Sequence, residues 1–413
     1  MRRPCLGRWI DSLYFEIWRM LSMAAKIEFF PVGNGDMTLI TLEDGRNIII
    51  DINIRSSADD NSNEDVPDVA TILRESLERD GSGRLYVDAF LLTHPHADHC
   101  TGLEKHFLLG TPDTWKEKDD KILIREMWSS PIVFRRQKGG EELCDDAKAW
   151  WKEARRRVKL YRDVEDEFWD DGNMIQVLGE DKDNKTDDLE DILVKTGDSI
   201  VKICGVETGS FTALLLSPLL VSDEDAEELT GKNDSSTVLR FDIQDEDGDS
   251  NLFLTGGDSE VAAWERIWDR NGDDPENLEY HILQAPHHCS WHTLSYDSWS
   301  DKGKDGEVSE KARNALGQAL DGAYVVSSSK PVQDDGDPPC IGAKDEYLDI
   351  LKDVDGKFLC TGEECENNTL AFVLRGGNPQ PENTVESTKS GLTPSRPPIS
   401  PSKTDKAGGG RYA

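Results

Sequence analysis

The chain has 413 residues, 36% of them hydrophobic, which excludes a small disulfide-stapled module and suits one large domain or two ordinary ones. Lys and Arg number 47 against 82 Asp and Glu, and the net charge of −35 excludes a protein whose general surface coats nucleic acid or an anionic membrane. No apolar run approaches the ~18–20 residues that span a bilayer, so no membrane association is expected and the acid excess reads as a well-hydrated, repulsive surface.

In chain order, residues 1–24 form an N-terminal extension. Arg8, Asp11, Glu16 and Arg19 interrupt its apolar stretch, so it does not read as a signal peptide. A segment from Met23, MAAKIEFFPVGNGD, reads as the start of a first strand. Thr38–Leu42, the turn Glu43-Asp44-Gly45 and Asn47–Ile52 read as a hairpin. Val66–Leu77 has helical spacing, and Tyr86–Thr93 is the nearly continuous apolar run of a strand buried on both faces. From about 111 to 196 the pattern changes to Trp-rich, highly charged sequence. It includes an amphipathic helix with Ala147, Trp150, Trp151, Ala154, Val158 and Tyr161 on one stripe, and reads as a helical insertion packed on the main domain. Strands are predicted at Ser199–Val206, Thr212–Leu216, Ser236–Phe241, Asn251–Thr255, Tyr280–Gln284 and Ala323–Ser327, and helices at Glu260–Asp269, Glu310–Leu320 and Lys344–Val354. The domain so defined covers 25–376. Residues 377–413, rich in Pro, Ser, Thr and Gly, cannot bury enough surface to offset their ordering entropy and read as a disordered tail. Eight cysteines without framework spacing suit a reducing compartment, and the expected location is cytoplasmic.

The histidines carry the strongest signal. Four lie in 94–106 (His94, His96, His99, His106) and four in 281–292 (His281, His287, His288, His292). The first group reads Thr93-His94-Pro95-His96-Ala97-Asp98-His99, directly after a buried strand. His94 and His96, two apart, can point to one centre, and Asp98 and His99 to a second beside it. Imidazole with carboxylate suits Zn²⁺ and also Mn²⁺ or Fe²⁺. Asp51 and Asp258 are carboxylates placed where a buried strand stops, as α/β sheets present functional groups, and Asp258 is placed to bridge two ions. The second group, Gln284-Ala285-Pro286-His287-His288-Cys289-Ser290, again closes an apolar strand and supplies the remaining imidazole.

These residues, in this order, resemble the metallo-β-lactamase superfamily. The subgroup they resemble most is the metallo-β-lactamase-like domain of the competence DNA-uptake channel. VGNGDMTLI (32–40), THPHADHCTGL (93–103), NDSSTVLRF (233–241), LTGGDSE (254–260) and APHHCS (285–290) carry that likeness. It implies an α/β fold, the αββα four-layer sandwich. It also implies a first ion on His94 and His96, a second on Asp98, His99 and one of His287 or His288, Asp258 as bridge, and Asp51 orienting the loop from behind. Two departures stand out. The loop Gly231-Lys232-Asn233-Asp234-Ser235-Ser236 lacks the histidine that many members carry there, leaving the first ion a ligand short unless Asn233 or Asp234 fills in. Cys289 replaces the subgroup's usual glycine.

One or two divalent ions, Zn²⁺ foremost and Mn²⁺ as the other candidate, would acidify a bound water to hydroxide and polarise the scissile group, so hydrolysis is the expected reaction. The likeness favours phosphodiesterase or nuclease action on nucleic acid or a nucleotide. Arg135, Arg136 and Lys138, together with Arg155-Arg156-Arg157, are candidates for a local phosphate rim, and His292 for a proton donor. Two other readings stay open: hydrolysis of a lactone, thioester or amide, and a non-catalytic binding module, which the missing loop histidine motivates.

Overall fold

The alternation of short β runs and amphipathic helices becomes two sheets stacked face to face, each covered outside by helices. The computed structural model describes residues 24–59, 66–131, 143–181, 185–219, 233, 236–365 and 367–382. Arg135, Arg136, Lys138, Asp234, the extension up to residue 23 and the tail from 383 lie outside the described residues.

The first sheet takes β1 (Lys26–Phe29), β2 (Thr38–Thr41), β3 (Asn47–Ile50), β4 (Tyr86–Leu92), β5 (Ile122–Ser129), β6 (Met174–Leu178) and β7 (Leu193–Val194). The second takes β8 (Ser199–Ile200), β9 (Phe211–Ser217), β10 (Val238–Gln244), β11 (Ser250–Thr255), β12 (Tyr280–Gln284), β13 (Ala319–Ser327) and β14 (Lys357–Cys360). The chain then returns, and β15 (Leu370–Val373) and β16 (Gln380–Pro381) extend the first sheet beyond β1. Within each sheet these strands otherwise neighbour one another in chain order, and the two-residue strand Phe107–Leu108 pairs with β5 off that path.

Period-two alternation sends successive side chains to opposite layers. Ala89 and Leu91 of β4 join Ile27, Phe29, Ile48, Ile50 and Trp128 against Phe211, Phe241, Phe253 and Ile282 between the sheets. Phe90 and Leu92 instead pack outward, with Leu73 of α1 (Val69–Ser76) and Trp150 and Ala154 of α2 (Asp145–Asp163). On the far side Leu254, Leu283 and Val325 meet Trp264 and Ile267 of α3 (Val261–Asn271), Ala312 and Leu316 of α4 (Glu310–Leu316) and Tyr347 of α5 (Ile341–Lys352). The layers are therefore helix, sheet, sheet, helix, the αββα sandwich expected.

The halves are built alike. β1–β2–β3 run antiparallel, and β4 then pairs parallel with β3 after a crossover through α1. β9–β10–β11 run antiparallel, and β12 pairs parallel with β11 after a crossover through α3. Parallel neighbours need such a crossover, and it leaves both C-terminal strand ends at one edge. Asp51 follows β3 and the His94–His99 loop follows β4; Asp258 follows β11 and the His287-His288 pair follows β12.

Four expectations need correcting. Residues 111–196 are no appended helical insertion: they supply β5, β6 and β7 of the first sheet, and α2 covers it, with Trp128 and Trp150 fully buried. The predicted strand Ser199–Val206 breaks into β8 and a separate hairpin, because Cys204 and Gly205 take left-handed backbone and pair Ile203 with Val206. The helix predicted to Leu320 stops at Leu316, where Gly317 ends it and Ala319 opens β13. The folded chain also continues past 376, since Phe372 pairs with Pro381 and Val373 with Gln380.

Candidate metal centre

Asp258 sits at the centre. It ends the turn Thr255-Gly256-Gly257-Asp258 after β11, is 1% exposed, and donates its backbone N–H to Ser236 Oγ at 3.2 Å. Glycine is required on approach: a Cβ on Gly257, at φ +48°, would lie 2.9 Å from Thr93, and one on Gly256 would meet Trp264 at 2.8 Å. That closeness brings the carboxylate up to the loop after β4.

Its two oxygens face two groups of imidazoles. His99 Nε2 lies 3.0 Å and His288 Nε2 3.4 Å from Asp258 Oδ1. His94 Nε2 lies 3.3 Å, His287 Nε2 3.7 Å and His96 Nδ1 4.0 Å from Oδ2. Asp98 Oδ2 lies 3.4 Å from His288 Nε2, on the first of these sides.

The rings are held from behind. Asp51, fully buried and left-handed at φ 54°, lies 2.7 Å from His99 Nδ1 and accepts from the Thr93 N–H at 2.8 Å and hydroxyl at 2.5 Å. With its hydrogen committed to Asp51, Thr93 Oγ1 is left to accept from His94 Nδ1 at 3.2 Å, which directs Nε2 of that ring at Asp258. A carboxylate on the far nitrogen of a ligating imidazole fixes tautomer and orientation in this way.

Asp36 stands behind His288 as an ion-pair neighbour without a hydrogen bond to it, and is not among the site residues expected from the sequence. Its Oδ1 lies 3.3 Å from His288 Nδ1 and its Oδ2 3.8 Å from His99 Nδ1. Asp36 falls in the four-residue group Asp36, His99, Asp258 and His288 that could hold an ion, but it faces the Nδ1 edges of both rings, away from the Nε2 atoms that converge on Asp258. The signal is present: Asp36 closes Gly33-Asn34-Gly35 just before β2, a third aspartate at a strand boundary, but it precedes its strand whereas Asp51 and Asp258 follow theirs.

Asp258 and Asp98 are held ionised below the ordinary carboxylate range. For Asp258 burial opposes this, and His99, His288 and His94 outweigh it; for Asp98 burial again opposes, and His288 and His99 prevail. Burial also opposes charge on His99 and His288, yet Asp258 with Asp51 holds the first well above the usual histidine range, and Asp258 with Asp36 pushes the second up to about 10. His94 is pushed down to about 3 by burial and then by the charge on His99. Burial raises Asp51 to about 6, with His99 opposing. The cluster thus draws positive charge to buried carboxylates.

Several of these atoms lack a hydrogen-bond partner despite complete burial: Asp258 Oδ1, His99 Nε2, His288 Nε2 and Asp36 Oδ1. Unsatisfied buried polar atoms are costly, and the first three of these converge on one another. A second group, His94, His96 and Asp258, likewise could hold an ion. An imidazole and carboxylate donor set without thiolate fits a borderline or hard divalent cation.

The other candidates stand apart. Asn233 Nδ2 donates to Glu260 Oε1 at 2.7 Å, and no hydrogen bond from Asn233 to Asp258 is described. His292 is tied by its backbone N–H to Ser290 Oγ, with no described contact from its ring to the cluster. His106 pairs with Asp59 and His281 accepts from the Leu252 N–H. Cys289, left-handed at φ 68° where the resembled subgroup has glycine, packs its thiol against Cys340 and belongs to neither ligand group. Of the run Arg155-Arg156-Arg157 in α2, Arg157 is buried on Glu153 and backbone carbonyls, Arg156 binds Glu153 and Gly172, and Arg155 stacks on Trp151. Two of the three are therefore consumed by the fold.

No protein-family model matches the chain, and no curated protein matches it. Among solved structures it is similar to an isothiocyanate hydrolase from Delia radicum gut bacteria, at 14% identity over 84% of this chain and 100% of that one, with a TM-score of 0.34. It is similar also to a possible metal-dependent hydrolase from Veillonella parvula DSM 2008, at 10% identity over 86% and 100%, with a TM-score of 0.36. Likenesses at these scores carry no argument about activity. Among the described residues no helix is long and apolar enough to cross a membrane.

Proposed function

We propose that this chain is a metal-dependent hydrolase of the metallo-β-lactamase type that cleaves phosphodiester bonds in nucleic acid or nucleotides. The observation that carries the reading is one buried carboxylate, Asp258, with five imidazoles within 4.0 Å of its two oxygens. A divalent ion bound there, Zn²⁺ or Mn²⁺, supplies a Lewis acid for the scissile group and an acidified water at neutral pH.

The residues of the chain do the rest. With an ion bound, Asp51 and Asp36 would favour a hydrogen on the Nδ1 atoms of His99 and His288, leaving Nε2 of each ring as the ligand atom. Thr93 does so for His94. Burial of Asp258, His94, His99 and His288 excludes competing water from the ligand shell. Asp98, with its side chain 41% exposed, stands between that shell and solvent.

The substrate class rests on the likeness of the five segments to the DNA-uptake subgroup. The charge of −35 favours a nucleotide or short single strand over long duplex, since an acidic surface repels polyanions. A screen of the Mn²⁺- or Zn²⁺-loaded protein with a bis-aryl phosphodiester, oligonucleotides and cyclic nucleotides tests this. Turnover of at least one is expected; turnover of none, alongside cleavage of a lactone, thioester or amide, would overturn the phosphodiester reading.

A further inference from the structure

We propose that His287 and His288 each serve a different ion, and that His287, oriented by Glu260 and Asn233, takes the place of the histidine missing from the loop before β10. The inference rests on the metallohydrolase reading and deepens it.

Adjacent residues of a strand point to opposite faces, so two neighbouring histidines would not ordinarily share a site. Here β12 is followed by three consecutive non-glycine residues in left-handed backbone, His287 (φ 49°), His288 (φ 52°) and Cys289 (φ 68°). Such residues persist only where their surroundings over-determine them, and they cluster at functional sites. The clamps are visible: His287 N–H donates to Gly257 O at 2.9 Å, Ser290 N–H to His287 O at 2.9 Å, and Cys340 N–H to Cys289 O at 2.9 Å. The first of these fastens the histidine turn to the Gly-Gly turn that delivers Asp258.

The result is two imidazoles, centroids 6.0 Å apart and 73° inclined, straddling one carboxylate. His288 lies by Oδ1 with His99, whereas His287 lies by Oδ2 with His94 and His96. His287 Nδ1 is buried without a hydrogen-bond partner and lies 3.8 Å from Glu260 Oε1. That same oxygen accepts from Asn233 Nδ2. The loop without a histidine therefore still acts on the first ion's side, through Asn233, Glu260 and the far nitrogen of His287. Glu260 thus stands behind His287 as Asp36 stands behind His288, an acid facing Nδ1 without a hydrogen bond, where Asp51 is hydrogen-bonded to His99. With His287 counted, His94, His96, His287 and Asp258 Oδ2 make four donors on one side, and Asp98, His99, His288 and Asp258 Oδ1 four on the other.

Mn²⁺ binding to the full chain, read by elemental analysis and electron paramagnetic resonance, tests this without any substrate. The wild type should hold two Mn²⁺ per chain with an exchange-coupled spectrum. His287→Gly, which fits left-handed backbone better than histidine does and so spares the fold, should hold one, with the six-line spectrum of an isolated ion. Glu260→Gln should weaken the first ion by about tenfold and leave the second unchanged. His287→Gly retaining two coupled ions would overturn the proposal, as would a wild type that holds only one. A wild type that binds no Mn²⁺ or Zn²⁺ at all would instead sink the metallohydrolase reading beneath it.

Discussion

His99 is gripped from both ring nitrogens: Asp51 lies 2.7 Å from Nδ1, and Nε2 faces Asp258 at 3.0 Å. One carboxylate comes from the end of β3 and the other from the turn after β11, so this ring joins the two halves of the sandwich. Asp51→Asn should keep the fold but weaken Mn²⁺ binding about 10–100-fold, the usual result of removing a carboxylate from behind a ligating imidazole. Calorimetric titration checks it, and unchanged affinity would remove Asp51 from the site.

Asp98→Ala and His99→Ala should each abolish phosphodiester turnover while circular dichroism stays native, because both residues lie on the single helical turn Ala97–Cys100 after β4 and the core lies within and around the sheets. Near-wild-type turnover in either variant would contradict the assignment.

Ligation requires neutral imidazole, whereas His99 is held charged well above its usual range and His288 up to about 10. Cation binding near neutral pH should therefore release protons and strengthen as pH rises. Calorimetry in buffers of different ionisation enthalpy would show a buffer-dependent heat. A heat independent of buffer would mean these rings are not displaced from their charged form.

Glu126 is a buried acid away from the metal centre. Burial raises it to about 7, against the hydrogen bonds it accepts from Trp128, Cys204 and Gln176. The folded state keeps this proton while the unfolded chain loses it near pH 4.5, so stability is fullest below about 4.5 and falls as pH rises toward 7. The loss is about 3 kcal/mol. Glu126→Gln should lack that part of the decline, seen as a variant whose stability relative to wild type rises between pH 5 and 8 in urea unfolding. Parallel pH profiles would show that Glu126 ionises normally.

Gly35 lies at φ +149° against Asn53 and the backbone carbonyl of Asp98. A Cβ there would come within 2.1 Å of Asn53 Nδ2 and 2.8 Å of the Asp98 carbonyl. Gly35→Ala should cost about 1–3 kcal/mol. It should also weaken metal binding by displacing Asp36, whose N–H donates to the Asp98 carbonyl at 3.2 Å. Unaltered stability and metal affinity together would show that the 33–36 turn is not fastened to the histidine loop.

The sandwich and most of the cluster were legible because the signals were local: apolar runs ending in His94, His96 and His99, in Asp258, and in His287-His288. Asp36 escaped because it opens a strand instead of closing one. Glu260 escaped because its partner, His287, becomes available only through the left-handed turn, which no side-chain pattern announces. The stretch 111–196 was read as an addition because the Trp stripe of α2 dominates it, yet the outer face of a parallel sheet needs such a helix, and Ile122–Ser129 carries the apolar run beneath it.

The most direct test is bis-aryl phosphodiester turnover by the full chain, stripped with chelator and then reloaded with Mn²⁺ or Zn²⁺, beside Asp258→Asn treated in the same way. The account predicts loss of activity on stripping, recovery on reloading and none in the variant. Turnover that survives stripping, or that persists in Asp258→Asn, would contradict it.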